Sequence, residues 1–372
     1  MNTNATCWAL LLCCVTAISS FAQDKLSPSI HLGDPAPPLI VHQWLKGKPV
    51  KDFEKGKVYV VEFWATWCKP CLASMPHLSK LAHQYKDQVT VIAMDVMENK
   101  NTTLEQIKAV VDRMGEKMDF AVAVQDSNLM EVGWLEATGE NNNGIPRTFV
   151  VDKEGKLAWV GHPMELDEVL HKVVNNTWNS KDAETTRSEN RRLAELDRES
   201  MSILMEFESD QFKPGKIIQA DSILNAISEI VRKEPRLKYA PMIAFRTFRY
   251  LLLTDMNKAY QYGKEVLKNS TYTDPAYNAI ISNIYFYSTK INLPAKLYEL
   301  GAEACQLEID HLMMPEMVNM ANMYSNMATM YWKGNNKIKA IEAQQKAIDA
   351  LKHRQAAELA EFHLQLQQYK KQ

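Results

Sequence analysis

An apolar run, Val58-Tyr59-Val60-Val61-Glu62-Phe63-Trp64, stops at Ala65-Thr66 and gives way to Trp67-Cys68-Lys69-Pro70-Cys71. β-branched and aromatic residues without polar alternation suit a central strand covered on both faces. The periodicity from Cys68 to Tyr85 then predicts a helix, with Pro76 as an expected kink. Two thiols three residues apart at such a strand-to-helix junction can reach each other and close a disulfide. They can equally take one from another protein, or pass one on. A buried strand feeding a helix N-terminus in this way points to a layered α/β unit.

The pattern on either side extends that unit over residues 24–178. Gly33-Asp34-Pro35-Ala36-Pro37-Pro38 must be extended. Residues 39–53 alternate loosely and break at Lys46-Gly47-Lys48-Pro49, which predicts a hairpin. Further strands are expected at 89–95 and 120–124, helices at 102–114 and 128–134, a hairpin of 148–152 with 157–161, and a closing helix at 165–175. At 372 residues a second domain is the natural expectation. Residues 179–200 are rich in Glu, Asp, Arg, Lys, Asn and Ser, a charged linker or solvated helix.

From 201 to 372 helical periodicity takes over. Three stretches look alike: Lys258-Ala259-Tyr260-Gln261-Tyr262-Gly263, Lys296-Leu297-Tyr298-Glu299-Leu300-Gly301 and Lys339-Ala340-Ile341-Glu342-Ala343. They are spaced by 38 and 43 residues, in the range of helical-hairpin repeats. The last unit is similar to a tetratricopeptide repeat. Met317, Met320, Met323, Met327 and Met330 have helical spacing and predict a core face.

The formal net charge of −2 argues against a nucleic-acid partner, which would call for a basic face. Residues 1–22 have the pattern of a secretory signal. Ala9 to Ile18 forms a short apolar core, and Ser20 and Ala22 suit cleavage after Ala22. The apolar stretch falls short of the roughly 20 residues that span a bilayer. Export is therefore expected, with the periplasm as destination and a membrane tether as the alternative. Removal of Cys7, Cys13 and Cys14 with the signal would leave Cys68, Cys71 and Cys305. One close pair plus a distant singleton is not a structural disulfide framework. A zinc site would need about four ligands, and no such set is visible, so neither a metal nor any other cofactor is expected.

The chemistry then rests on a few positions. A cysteine attacks as its thiolate, and a helix N-terminus stabilises that anion. Cys68 is placed for this role, with Cys71 one turn inward as the resolving thiol. Lys69 adds a positive charge nearby, or is simply solvated. Pro70 stiffens the pair. Glu62 is a lone carboxylate in an apolar strand, and burial would raise its pKa and fit it to accept a proton from Cys71. Its alternative is a strand-end carboxylate facing water. Trp67 packs around the thiols or is a surface side chain. Cys305, among apolar helical residues, is expected to be inert.

Cys68-x-x-Cys71 together with Ile145-Pro146-Arg147-Thr148 resembles the thioredoxin superfamily. The Gly33-Asp34-Pro35-Ala36-Pro37 opening, Glu62 through Cys68, the insertion between 100 and 135 and Gly144-Ile145-Pro146 are similar to its exported TlpA/ResA branch. The resemblance implies a cis peptide before Pro146, with the Ile145 backbone beside Cys68 ready to pair with a substrate segment. It implies a buried acid at Glu62. It also implies reduction of protein disulfides, with a membrane-linked or soluble electron donor. Cytochrome-maturation members carry a glutamate shortly after the second cysteine, where this chain has Ser74, which speaks against apocytochrome c as substrate. The expected fold class is thus an α/β thioredoxin-like domain followed by an all-α helical-hairpin domain.

Two other functions compete with an oxidoreductase. The helical half would bind a peptide or protein partner, with the redox half auxiliary. Alternatively the chain would be a thiol peroxidase. Peroxiredoxins place Pro seven residues and Thr or Ser three residues before the reactive cysteine, and here those positions are Val61 and Ala65.

Overall fold

The computed structural model describes residues 29–140, 144–211, 220–269 and 276–369. The signal-like stretch 1–22 lies outside the described residues. The chain divides into two units, 1–184 and 185–372.

The first unit is a six-stranded sheet of β1 (Val41–Lys46), β2 (Val58–Trp64), β3 (Val89–Asp95), β4 (Ala121–Gln125), β5 (Arg147–Val151) and β6 (Leu157–Gly161), in the order β1-β4-β3-β2-β5-β6. β2, β3 and β4 run parallel. The outer pairings, β1 with β4, β2 with β5 and β5 with β6, are antiparallel. Every residue of β2 is buried, which is why its sequence is continuous rather than alternating. One face packs under α1 (Lys69–Gln84), α2 (Leu104–Met114) and α3 (Leu166–Val174), with Val60, Trp64, Cys71, Leu78, Val111 and Leu170 in its core. The other face holds Tyr59, Phe63, Trp134 and Phe149. There the Phe63–Phe149 and Trp134–Phe149 ring centroids stand 5.0 and 5.1 Å apart.

The expected hairpin over 39–53 does not form. β1 pairs with β4 instead, from Val41 opposite Gln125 to Lys46 opposite Val122. Gly47, at φ +74°, passes so close to this strand that a Cβ would sit 2.8 Å from the Ala121 Cα. Only glycine fits both that backbone and that approach. Lys46 then donates to the carbonyls of Gly115 and Met118 at 2.8 and 2.7 Å, fixing the end of the crossover. α1 runs unbroken through Pro76. The helix expected at 128–134 forms a little later, as a wide π-type helix at Glu131–Glu136, with Ala137 N–H bonded to Val132 O at 3.1 Å. The proline-rich opening lies along β6, with Gly33 N–H to Leu157 O at 2.7 Å and Leu157 N–H to Asp34 O at 2.9 Å. It pairs with the start of that edge strand and takes up the Leu157 amide and carbonyl.

Among the described residues the second unit is helical throughout. α4 (Ser180–Gln211) runs through residue 200 as one helix and is followed by α5 (Ala220–Lys233). Three hairpins come next: α6 (Pro241–Thr254) with α7 (Met256–Asn269), α8 (Tyr277–Tyr287) with α9 (Ala295–Asp310), and α10 (Met320–Lys333) with α11 (Lys337–Tyr369). The three similar stretches all fall at the start of the second helix of a hairpin. Ala259, Leu297 and Ala340 occupy the same place in each and all are buried. The methionine stripe is core only at its end, where Met327 and Met330 are buried. Met317 is exposed because it precedes α10, in a short turn at Pro315–Met317.

Candidate active site

β2 delivers the chain to the junction, and the helix that follows begins on the cysteine. Cys68 caps α1, and its Sγ accepts the Cys71 N–H at 3.2 Å. A sulfur held there faces the unpaired amides and positive end of the helix dipole. Cys68 and Cys71 are joined, with an S–S distance of 2.05 Å and Cα atoms 5.3 Å apart. Pro70 sits in the first turn, where a missing N–H is harmless. Both cysteines are buried in this oxidised state, Cys68 at 2% exposure and Cys71 at 0%. Trp67, half exposed at 49%, donates its indole N–H to Met97 O at 2.9 Å, and Lys69 is exposed.

The Ile145–Pro146 peptide is cis, and Pro146 is buried. Its carbonyl neighbour matters more: Ile145 O lies 3.8 Å from Cys68 Sγ. The structure therefore brings Trp67, Cys68, Cys71, Ile145 and Pro146 to the end of the sheet where β2 stops and β5 begins, with Lys69 and Pro70 opening the helix.

Glu62 lies inside rather than at a strand end. It is fully buried, opposite Ala93 on β3 and Thr148 on β5. The alternation of β2 puts it on the face of Val60 and Trp64, the face that packs under Cys71 and α1. Thr148 donates its hydroxyl to Oε2, while Oε1 meets no donor among the described residues. Burial pushes its pKa up to about 8, against the smaller downward pulls of Thr148 and the Arg147 charge. Glu62 thus holds its proton near neutrality and can exchange it under mild conditions.

Other polar residues at the site escaped the sequence reading. Asp95 closes β3 beside Trp64 and is 2% exposed. Glu98 accepts both the N–H and the hydroxyl of Thr66, two residues ahead of Cys68. The one available signal was a carboxylate ending the apolar run Val89–Asp95, the same signal that exposed Glu62. Cys305 is buried and far along the chain in α9, where burial pushes its thiol up to about 12.

A disulfide opening a helix, over a buried acid and beside a cis-proline loop, defines a thioredoxin-fold dithiol–disulfide protein. A family model described as Redoxin matches residues 31–175. Protein FixW of Rhizobium leguminosarum is 33% identical over 157 residues, covering 41% of this chain and 70% of that protein. The thiol-disulfide oxidoreductase ResA of Bacillus thuringiensis is 34% identical over 146 residues, covering 38% of this chain and 75% of its own length. Among solved structures, a thiol:disulfide interchange protein from Bacteroides sp. is 26% identical with a TM-score of 0.33, covering 40% of this chain and 92% of that one. The chain belongs to the TlpA/ResA-like thiol-disulfide oxidoreductases of the thioredoxin superfamily, and its enzymatic chemistry is that of a dithiol–disulfide couple.

Proposed function

We propose that this protein is exported and reduces disulfides in other exported proteins through Cys68 and Cys71. The Cys68 thiolate attacks a substrate disulfide, forming a mixed disulfide and releasing one substrate thiolate. The Cys71 thiolate then attacks Cys68 Sγ, closing the internal disulfide and releasing the second. Two electrons pass to the substrate, and a separate thiol donor, membrane-linked or soluble, must return them. Glu62, in its ionised form, takes the proton that Cys71 loses before it attacks. Ile145 pairs through its backbone with the extended substrate segment, while Trp67, Lys69, Pro70 and Pro146 frame it.

The observation that carries this reading is the contact of Cys68 Sγ with both the Cys71 N–H and the Ile145 carbonyl. One sulfur is thereby set against its resolving partner and against the Ile145 backbone carbonyl. A Cys71→Ser variant should accumulate mixed disulfides on Cys68 that reductant releases, whereas Cys68→Ser should trap none. Absence of any trapped partner with Cys71→Ser would refute the reading. The reducing direction predicts a midpoint potential nearer about −270 mV than about −120 mV. Export predicts a mature N-terminus at Gln23, readable by mass spectrometry of the secreted protein. On this reading residues 24–178 are the redox domain, 179–200 join it to the helices, and 201–372 recognise the partner. Tyr285, Phe286 and Trp332, exposed near the ends of α8 and α10, favour that last role. Their replacement by alanine should slow turnover of protein substrates while leaving small disulfides unaffected.

A further inference from the structure

We propose that Glu98 is a positioning residue for the Cys68–Cys71 pair, acting through Thr66. The inference rests on the redox reading above.

Glu98 holds the peptide that leads into Cys68 through Thr66. Its Oε1 accepts the Thr66 N–H at 2.5 Å and its Oε2 accepts the Thr66 hydroxyl at 2.9 Å. Two charge-assisted bonds from one carboxylate fix the orientation of Thr66 as well as its distance. Thr66 lies inside the turn that precedes the sulfur. Cys68 N–H bonds Ala65 O at 3.1 Å, and Cys68 Sγ receives the Cys71 N–H.

The segment that carries Glu98 is braced in turn. Val96 N–H bonds Trp64 O at 2.9 Å, and the Trp67 indole bonds Met97 O. Met97 stands at φ +55°, a left-handed conformation uncommon for a residue with a side chain. Its N–H is taken by Glu131 Oε1 at 3.0 Å, which also accepts from Gln125 Nε2 at 2.6 Å. Such a bend, tied on both flanks, presents Glu98 to Thr66 without freedom to swing.

Asp95 explains how two carboxyl groups coexist here. It is buried at the end of β3, and its Oδ2 meets no donor among the described residues. Burial, then the charge of Glu98 and a hydrogen bond with it, hold the Asp95 proton up to about 9. A neutral Asp95 leaves Glu98 free to accept twice from Thr66. Ionisable groups near this corner include Glu62, on the same face of neighbouring β2, Glu131, which holds Met97 N–H, and the Cys68–Cys71 pair itself.

The experiment uses the full-length reduced protein. It follows the pH midpoint of Cys68 alkylation by iodoacetamide, insulin reduction and thermal unfolding. Glu98→Ala frees Thr66, so the helix end holds the sulfur anion less well. The expected result is a midpoint raised by about one pH unit and kcat lowered about tenfold, with KM changed less. Glu98→Gln can accept from the Thr66 N–H and donate to its hydroxyl oxygen, and should restore kcat to within about threefold. Thr66→Val, which keeps the N–H and loses only the hydroxyl, should move the midpoint in the same direction by a smaller amount. It also serves if Glu98→Ala does not fold. Asp95→Asn, a neutral donor at every pH, should keep the wild-type midpoint. A wild-type alkylation profile in both Glu98→Ala and Thr66→Val would overturn the inference, as would an Asp95→Asn midpoint displaced as far as that of Glu98→Ala. Cys68→Ser separates the two readings: if it still reduces insulin, the redox reading itself has failed.

Discussion

Glu62 on β2 and Thr148 on β5 face each other across an antiparallel pair, and among the described residues the threonine hydroxyl is the one donor that the buried carboxyl receives. This acid keeps its proton up to about pH 8 in the folded chain, whereas an exposed glutamate releases it near 4.5. Between those two values the unfolded state binds fewer protons than the native one, so stability falls as pH rises and levels off above about 8. Glu62→Gln should flatten this slope without abolishing it, because Asp95 acts with the same sign. At pH 8.5 the variant should be more stable than wild type by on the order of 2–4 kcal/mol, at about 1.4 kcal/mol per pH unit. At pH 4.5 the two should nearly coincide. Urea unfolding of the oxidised proteins at both pH values checks this, and equal shifts at both would contradict it.

The same variant should lose catalysis while it gains stability. Glutamine cannot take the Cys71 proton, so closure of the internal disulfide should slow about 10²-fold, the low end for general acid–base contributions. Formation of the mixed disulfide on Cys68 should be little affected. Rapid-quench analysis with an insulin peptide separates the two steps. Equal slowing of both would show that Glu62 acts on Cys68 or on folding instead.

Removing the donor rather than the acid gives a different signature. Thr148→Val deletes an interaction that holds the Glu62 pKa down, so ionisation should move above about 8. The pH profile of the resolving step should shift to the alkaline side, with its plateau rate preserved. The unpartnered carboxyl should cost about 1–3 kcal/mol of stability. A profile unchanged in shape but lowered throughout would contradict a proton role for Glu62.

How far these residues were legible in the sequence depends on what determined them. β2 and α1 were readable because burial on both faces and a helix start leave local marks: an unbroken apolar run, then Cys68 and Pro70. Glu62 stood out as a violation of that run. β1 was legible as extended chain but not in its pairing, since its register against β4 depends on a crossover more than seventy residues long. Thr148 carries no mark at all. It matters only because β5 returns antiparallel beside β2 and sets it opposite Glu62. Glu98 is hidden for a similar reason, as its target Thr66 lies 32 residues earlier and the two meet only through parallel β2 and β3.

Cys305 provides a built-in control for thiol reactivity. Burial first, and the nearby Glu308 charge second, push its thiol up to about 12, so almost none of it is thiolate at pH 7.5. In the native reduced protein iodoacetamide should therefore label the active-site pair and leave Cys305 unmodified until urea is added. Peptide mapping after brief labelling reads this directly. Modification of Cys305 at a rate near that of Cys68 would show that α9 opens far more readily than its packing implies.

Gly301 tests whether the helical hairpins are held by close approach of their helices. A Cβ there would stand 2.8 Å from Met330 Sδ and 3.0 Å from Ile284 Cδ1, so α9 meets both α8 and α10 through this one position. Gly263, 38 residues earlier, makes the equivalent approach on α7, where a Cβ would lie 2.5 Å from Leu300 Cδ2. Helix propensity favours alanine over glycine by about 1 kcal/mol, and the Met330 side chain is flexible enough to yield. Gly301→Ala should accordingly be near neutral. Gly301→Val adds two further carbons against the fully buried Ile284 and should destabilise the helical unit by about 1–3 kcal/mol, as overpacking does. Turnover of a small disulfide should be the same in both variants, because Cys68 and Cys71 belong to the other unit. Unfolding followed by circular dichroism distinguishes the pair, and a valine variant as stable as wild type would mean that these helices can part at little cost.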